Sequence, residues 1–128
     1  MTVAIACVGL LGLLLFVLGL NVSRSRGAGR VGDYPTASSD PFFIAIRAHG
    51  NTAEYAPMLA ILILIAGERN PSTWVLIVMI IAVASRYLVA AGMLMSSDLA
   101  IGNPFRLTGA VGTYLSGIVL CIAVLLTI

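Results

Sequence analysis

Four polar residues stand close together in an otherwise apolar stretch of the chain: Arg47, Asn51, Glu54 and Tyr55, within RAHGNTAEYAPMLAILILIAG. Spacings of four, three and one place them along one stripe of a helix turning ~100° per residue. Asp40-Pro41 supplies an N-cap followed by proline at the first helical position. From that start Glu54 is ~20 Å along the axis, at ~1.5 Å per residue, which is bilayer depth if the helix spans. One ionised side chain at such depth costs ~2.5–3.5 kcal/mol on insertion scales. Arg47 and Glu54 must therefore face protein or water; Arg47 could snorkel to the interface, whereas Glu54 is too short. An Arg47–Glu54 pair that merely ties helices together is the plainer alternative, but desolvation offsets most of such a pair's attraction. Charge buried in a membrane marks a functional site. Pro57 lies just past the stripe and leaves the Ala53 carbonyl without its helical donor, adding an acceptor and a bend.

Two further arginines extend the pattern. Arg86 sits inside a third apolar run, in ASRYLVAAGM, where an intramembrane ion pair with Glu54 is the simple structural reading. Arg106 opens a fourth run from the interface, where an anchoring role is the simple reading. Together these residues form a cationic site with one carboxylate and several neutral donors. Such a site suits a small ligand with more than one carboxylate and one amine: Arg binds carboxylate through two parallel bonds, Glu accepts from ammonium, and Asn and Tyr fix orientation. No metal chemistry is expected. His49 has no cluster of partners, and Cys7 and Cys121 each sit in apolar runs where free cysteine is the common state.

The elements that must hold these residues are membrane helices. The chain has 128 residues, 60% hydrophobic and 9% charged, with a mean hydropathy of +1.09. Soluble domains are nearer a quarter charged, so this composition belongs to the membrane class. Four continuous runs rich in Leu, Ile, Val and Ala, at about 3–22, 41–67, 73–95 and 107–128, read as spanning helices of a single all-α membrane domain. Barrel strands would alternate in character over about ten residues. The first run lacks the basic start and cleavage site of a signal peptide and reads as a retained helix. Residues 23–40 form a Gly/Ser/Pro-rich loop with Arg24, Arg26 and Arg30, and residues 96–106 form a loop ending in Arg106. The opposite side has only Arg69, so the positive-inside rule puts loops one and three in the cytoplasm, as in a bacterial inner membrane or its equivalent. All seven basic residues are Arg, scattered or beside spans, and give no nucleic-acid footprint. No internal repeat suggests a duplicated transporter half.

The string from Arg47 to Pro57, with Asn51 four residues after the Arg and then Glu54-Tyr55, resembles the signature of the MAPEG family, the membrane-associated proteins in eicosanoid and glutathione metabolism. Chain length, four spans, an Arg-bearing first loop and the third-helix Arg86 agree with that resemblance, which is greatest to the small bacterial members. It implies a homotrimeric four-helix-bundle fold that binds glutathione at subunit interfaces near the cytosolic side. On the matching positions, Arg47 would bind a glutathione carboxylate, and Asn51, Glu54 and Tyr55 its backbone and amino group. His49, about 200° around the helix from Arg47, stands where some members have a Gln that reaches glutathione in the neighbouring site. Either Arg24 or Arg26 resembles a loop Arg that contacts ligand from the adjacent subunit. Arg86 and Arg106 would be the catalytic arginines, Arg106 as candidate stabiliser of the thiolate. The implied activity is a transferase or peroxidase that joins glutathione to a hydrophobic or lipid electrophile. The family's synthases have tyrosines three and seven residues after the third-helix Arg; here those positions are Val89 and Met93, while Tyr87 points elsewhere. A non-catalytic glutathione- or lipid-binding protein is therefore the alternative. Covering Arg47, His49, Glu54 and Arg86 on differing faces calls for interfaces between protomers, and Gly109, Gly112, Ser116 and Gly117 would allow close helix approach.

Overall fold

A computed structural model of the chain describes residues 1–27 and 34–126. Arg30, counted above with the first loop, lies outside the described residues, as do the last two positions of the fourth run. The architecture is an all-α bundle of four helices: α1 (Thr2–Arg26), α2 (Pro41–Glu68), α3 (Thr73–Leu94) and α4 (Pro104–Leu125). All four are long and apolar enough to cross a membrane. The protein is an integral, multi-pass membrane protein.

Two of the helix boundaries that differ from the sequence expectation bear on the arginines. The first helix runs on through Ser23, Arg24 and Arg26 before Gly27 ends it at φ 59°, a left-handed conformation that glycine adopts freely. Ser23 donates back to the Gly19 carbonyl at 3.2 Å, and the two arginines complement the negative end of the helix dipole. Hence Arg24 and Arg26 belong to α1 and not to the loop. The fourth helix starts three residues before the expected Leu107, because Asn103 caps it. Its Oδ1 accepts from the Phe105 amide at 2.8 Å, and Pro104 takes the first helical position. Asp40 does the same for α2, accepting from the Phe42 amide at 2.7 Å.

Helix α1 packs on α2 and α3, and α4 packs on α3 and α2; α1 and α4 do not meet among the described residues. Most packing lies within the α1–α2 and α3–α4 hairpins. Gly67 admits Ala4 where α2 ends beside the start of α1: a Cβ at Gly67 would lie 2.5 Å from the Ala4 Cβ. The α3–α4 seam is equally tight. A Cβ at Gly109 would stand 2.8 Å from both the Ser85 carbonyl oxygen and the Val89 amide nitrogen. One at Gly112 would run into the Ser85 hydroxyl. Gly109 and Gly112 are thus consumed inside the protomer, against α3, and are not free to line a contact between protomers. Ser116 is buried too and turns its hydroxyl onto the Gly112 carbonyl at 2.6 Å. Large apolar side chains such as Phe16, Leu115 and Ile118 cover the outside of the bundle, as a lipid-facing surface requires.

Candidate active site

Arg86 heads the fully buried side chains by size and is 1% exposed. It leaves α3 between α2 and α4. Its Nη2 donates to Asn51 Oδ1 at 2.7 Å and to the Asn51 carbonyl at 3.1 Å. Its Nη1 reaches Thr113 Oγ1 at 3.5 Å, and Thr113 can accept because its own proton goes to the Gly109 carbonyl at 2.8 Å. The guanidinium carbon stands 5.1 Å from the centroid of the Tyr55 ring, within cation–π range. Neutral acceptors and a ring face therefore hold Arg86, with no carboxylate bonded to it among the described residues. The simple reading of an Arg86–Glu54 pair does not hold, since Glu54 lies exposed on the outer face of α2. The Arg86 Nε–H has no partner among the described residues.

Tyr55 carries the arrangement across to α4. Its hydroxyl is 3.1 Å from that of Tyr114, and the two rings meet edge-on with centroids 5.7 Å apart. Asn51, Tyr55, Arg86, Thr113 and Tyr114 form one side of a cavity of about 300 Å³. Val89, Met93, Leu107 and Ala110 give it an apolar wall, and Arg106 with Gly102 and Asn103 closes the end where α3 passes into α4.

Arg106 is positioned by the third loop. Its Nη1 donates to the Leu99 carbonyl at 2.9 Å and the Ile101 carbonyl at 3.4 Å, which leaves further N–H groups of the five it carries. Asn103, besides capping α4, donates to the Gly92 carbonyl at 3.2 Å and to Ser96 Oγ at 3.3 Å. Gly92 has no Cβ to collide with the first turn of α4; one built there would lie 2.8 Å from the Arg106 amide nitrogen. The first loop grips the third in turn: the Leu99 amide donates to the Ser38 carbonyl at 3.1 Å. Asp98 accepts from the Ala100 amide at 2.8 Å, and hydrogen bonding from Ser38 and that amide holds its carboxyl below the usual range.

The stripe read from the sequence thus divides. Asn51 and Tyr55 turn into the cavity, whereas Arg47 and Glu54 are exposed on the surface of the chain. His49 faces α1, its ring 3.3 Å from where a Gly19 Cβ would be, with Nδ1 buried and without a partner among the described residues. Arg24 and Arg26 are exposed on the last turn of α1. Tyr87 also reaches α1, donating to the Leu10 carbonyl at 2.9 Å. Sequence reasoning did not find Thr113, Tyr114 or Asn103. A tyrosine well inside an apolar helix, rather than in the interfacial belt, was the available signal for Tyr114.

A family model matches residues 4–126, nearly the whole chain, and it is that of the MAPEG family. The chain belongs to the MAPEG family. No curated protein and no solved structure matches it. MAPEG proteins are membrane-embedded glutathione-dependent transferases and peroxidases and enzymes of eicosanoid metabolism. In this MAPEG chain, α2 contributes Asn51 and Tyr55 of the signature to the cavity that Arg86 and Arg106 line.

Proposed function

We propose that the protein is a glutathione-dependent transferase or peroxidase that presents a glutathione thiolate to a hydrophobic electrophile dissolved in the bilayer. The observation that carries this reading is the cavity with Arg86 and Arg106 at its two ends, an apolar wall between them, and neutral donors around it. Glutathione is an anion with two carboxylates, one ammonium and a thiol. Arginine fits its carboxylates, and a cationic neighbour makes a thiol ionise more readily. The apolar wall of Val89, Met93, Leu107 and Ala110 gives the second substrate a place beside the sulfur.

Arg47 and Glu54 lie exposed on α2, and Glu54 sits ~20 Å along the helix, where lipid contact of an ionised side chain costs ~2.5–3.5 kcal/mol. Packing protomers against one another relieves that cost, and a homotrimer brings these residues and Arg24 or Arg26 to the ligand from neighbouring subunits; His49, turned onto α1 at Gly19, is not among them. Glu54 then takes the glutathione ammonium and Arg47 a carboxylate. Loops one and three face the cytoplasm, where glutathione is supplied.

The test uses the full chain in mild detergent. Native mass spectrometry should show a trimer, and calorimetry should show saturable glutathione binding that Glu54→Ala and Arg47→Ala abolish. Assays with a halogenated aromatic and a lipid hydroperoxide should show glutathione consumption that Arg86→Ala and Arg106→Ala reduce at least tenfold. A monomer that binds no glutathione would sink the reading. Val89 and Met93, which put no hydroxyl on the α3 wall, favour a second reading in which glutathione or lipid is held without reaction. Saturable binding with no turnover on either substrate would select it.

A further inference from the structure

The two cavity arginines are held differently. Arg86 is buried and spends both Nη groups on neighbouring helices, at Asn51 and Thr113. Arg106 is half-buried, and its hydrogen bonds among the described residues run from Nη1 to the Leu99 and Ile101 carbonyls, in the loop before its own helix. Nε and Nη2 are thereby left for a ligand. The stem of Arg106 is pinned at its root, since a Cβ built on Gly92 would lie 3.0 Å from the Arg106 Cγ. The tip has no such support. Arg106 stands in the first turn of α4, at the positive end of the helix dipole, which disfavours a cation. A long side chain in that field swings to water unless the two carbonyls are themselves fixed.

Asp98 fixes them. The Ile101 amide donates to the Asp98 carbonyl at 3.2 Å, closing a turn, and inside it the Ala100 amide donates to Asp98 Oδ1 at 2.8 Å. Those two bonds set the direction of the Leu99 and Ile101 carbonyls. The turn is also tied to the first loop. The Ser38 hydroxyl donates to the Asp98 carboxylate, and the Leu99 amide donates to the Ser38 carbonyl at 3.1 Å. Ser38 lies within the turn that the Asp40 amide closes on the Ala37 carbonyl at 3.0 Å, and Asp40 caps α2. One carboxylate thus joins the capped starts of α2 and α4. Held below the usual carboxyl range, it is ionised at neutral pH and acts as an acceptor only.

We infer that Asp98 is a positioning residue for Arg106: clamped by Ser38, it holds the Leu99 and Ile101 carbonyls where they aim the guanidinium into the cavity. This rests on the glutathione reading above and deepens it, since the aimed group is one that meets an anionic part of glutathione. Asp98 does not line the cavity and acts through the turn. The first loop gives the cavity no lining residue among the described ones, yet it sets the mouth through this clamp.

The experiment is a double-mutant cycle on the detergent-solubilised full chain, read as turnover and as glutathione affinity. Asp98→Ala should lower turnover about tenfold, the scale on which a misaimed binding group acts, and by less than about twofold where Arg106 is already replaced by Ala. Ser38→Ala removes the hydroxyl and leaves the Leu99 bond, so it should show the same pattern at about threefold. It carries the cycle if Asp98→Ala fails to fold. Asp98→Asn keeps an Oδ1 acceptor for the Ala100 amide and should stay within about threefold of wild type. A general disruption of the bundle would instead add to the Arg106→Ala loss. Wild-type turnover in Asp98→Ala, a loss undiminished on the Arg106→Ala background, or no rescue by Asn overturns the assignment while leaving glutathione binding intact. A wild-type chain that binds no glutathione overturns the underlying reading as well.

Discussion

Asn51 does two jobs that its residue type allows and its position makes compatible. Its side-chain oxygen and its backbone carbonyl both accept from Arg86 Nη2, at 2.7 and 3.1 Å, and it lines the cavity beside Tyr55. Bonds to a charged donor contribute about 1.5–3 kcal/mol each, and a buried guanidinium that loses one keeps the cost of its own burial. Asn51→Ala should therefore lower stability by about 1.5–3 kcal/mol, read as a drop in the detergent melting temperature, and Asn51→Asp should restore much of it. A melting temperature equal to wild type in Asn51→Ala would contradict the role. The polar stripe itself was legible from cost and spacing, but its division was not. Relative to Arg47, Glu54 lies at about −20°, Asn51 at about +40° and Tyr55 at about +80°, a width that straddles two surfaces. Periodicity places residues on a helix; only the neighbouring helix decides which edge is covered. Thr113 was illegible for a related reason, since a threonine that returns its proton to its own helix looks like any other in a membrane span.

Glycines set the spacing between elements. With Gly109 facing the Ser85 carbonyl and the Val89 amide, α3 and α4 approach backbone to backbone, and neither obstacle is a side chain that can swing away. Gly109→Ala should cost about 1–3 kcal/mol by forcing the helices apart. It should also lower glutathione affinity, because Val89, Thr113 and Tyr114 share that seam. Circular dichroism melts paired with calorimetry would check it, and an Ala variant with unaltered melting and binding would refute the tight seam. The small residues on α4 are visible in the sequence, where they are expected to allow close approach between protomers; Gly109 and Gly112 instead admit α3, since small side chains carry no record of what they meet. Helix ends behaved similarly. The Asp40-Pro41 cap fixes the start of α2, and the equivalent Asn103-Pro104 cap starts α4 three residues before the expected Leu107.

At the scale of the molecule, composition alone dictated four spans, since no other architecture hides so much apolar surface or satisfies the backbone in lipid. The family followed from the eleven residues Arg47 to Pro57 and now rests on residues 4–126. The homotrimer stays a proposal, because a single chain displays what it leaves uncovered and not what covers it. The division of packing into an α1–α2 and an α3–α4 hairpin also bears on biogenesis. Arg86 is made in the second hairpin, yet its shortest hydrogen bonds go to Asn51 in the first. A nascent second hairpin without the first would carry an orphan cation in lipid, so order of insertion is built into the site. Residues 70–128 expressed alone should be poorly retained in the membrane and rescued by co-expressed residues 1–69, and Arg86→Leu should remove that dependence. Equal retention with and without the first half, measured by quantitative immunoblot of membranes, would refute this. The residue that completes the cavity is then also the one that certifies the two halves have met.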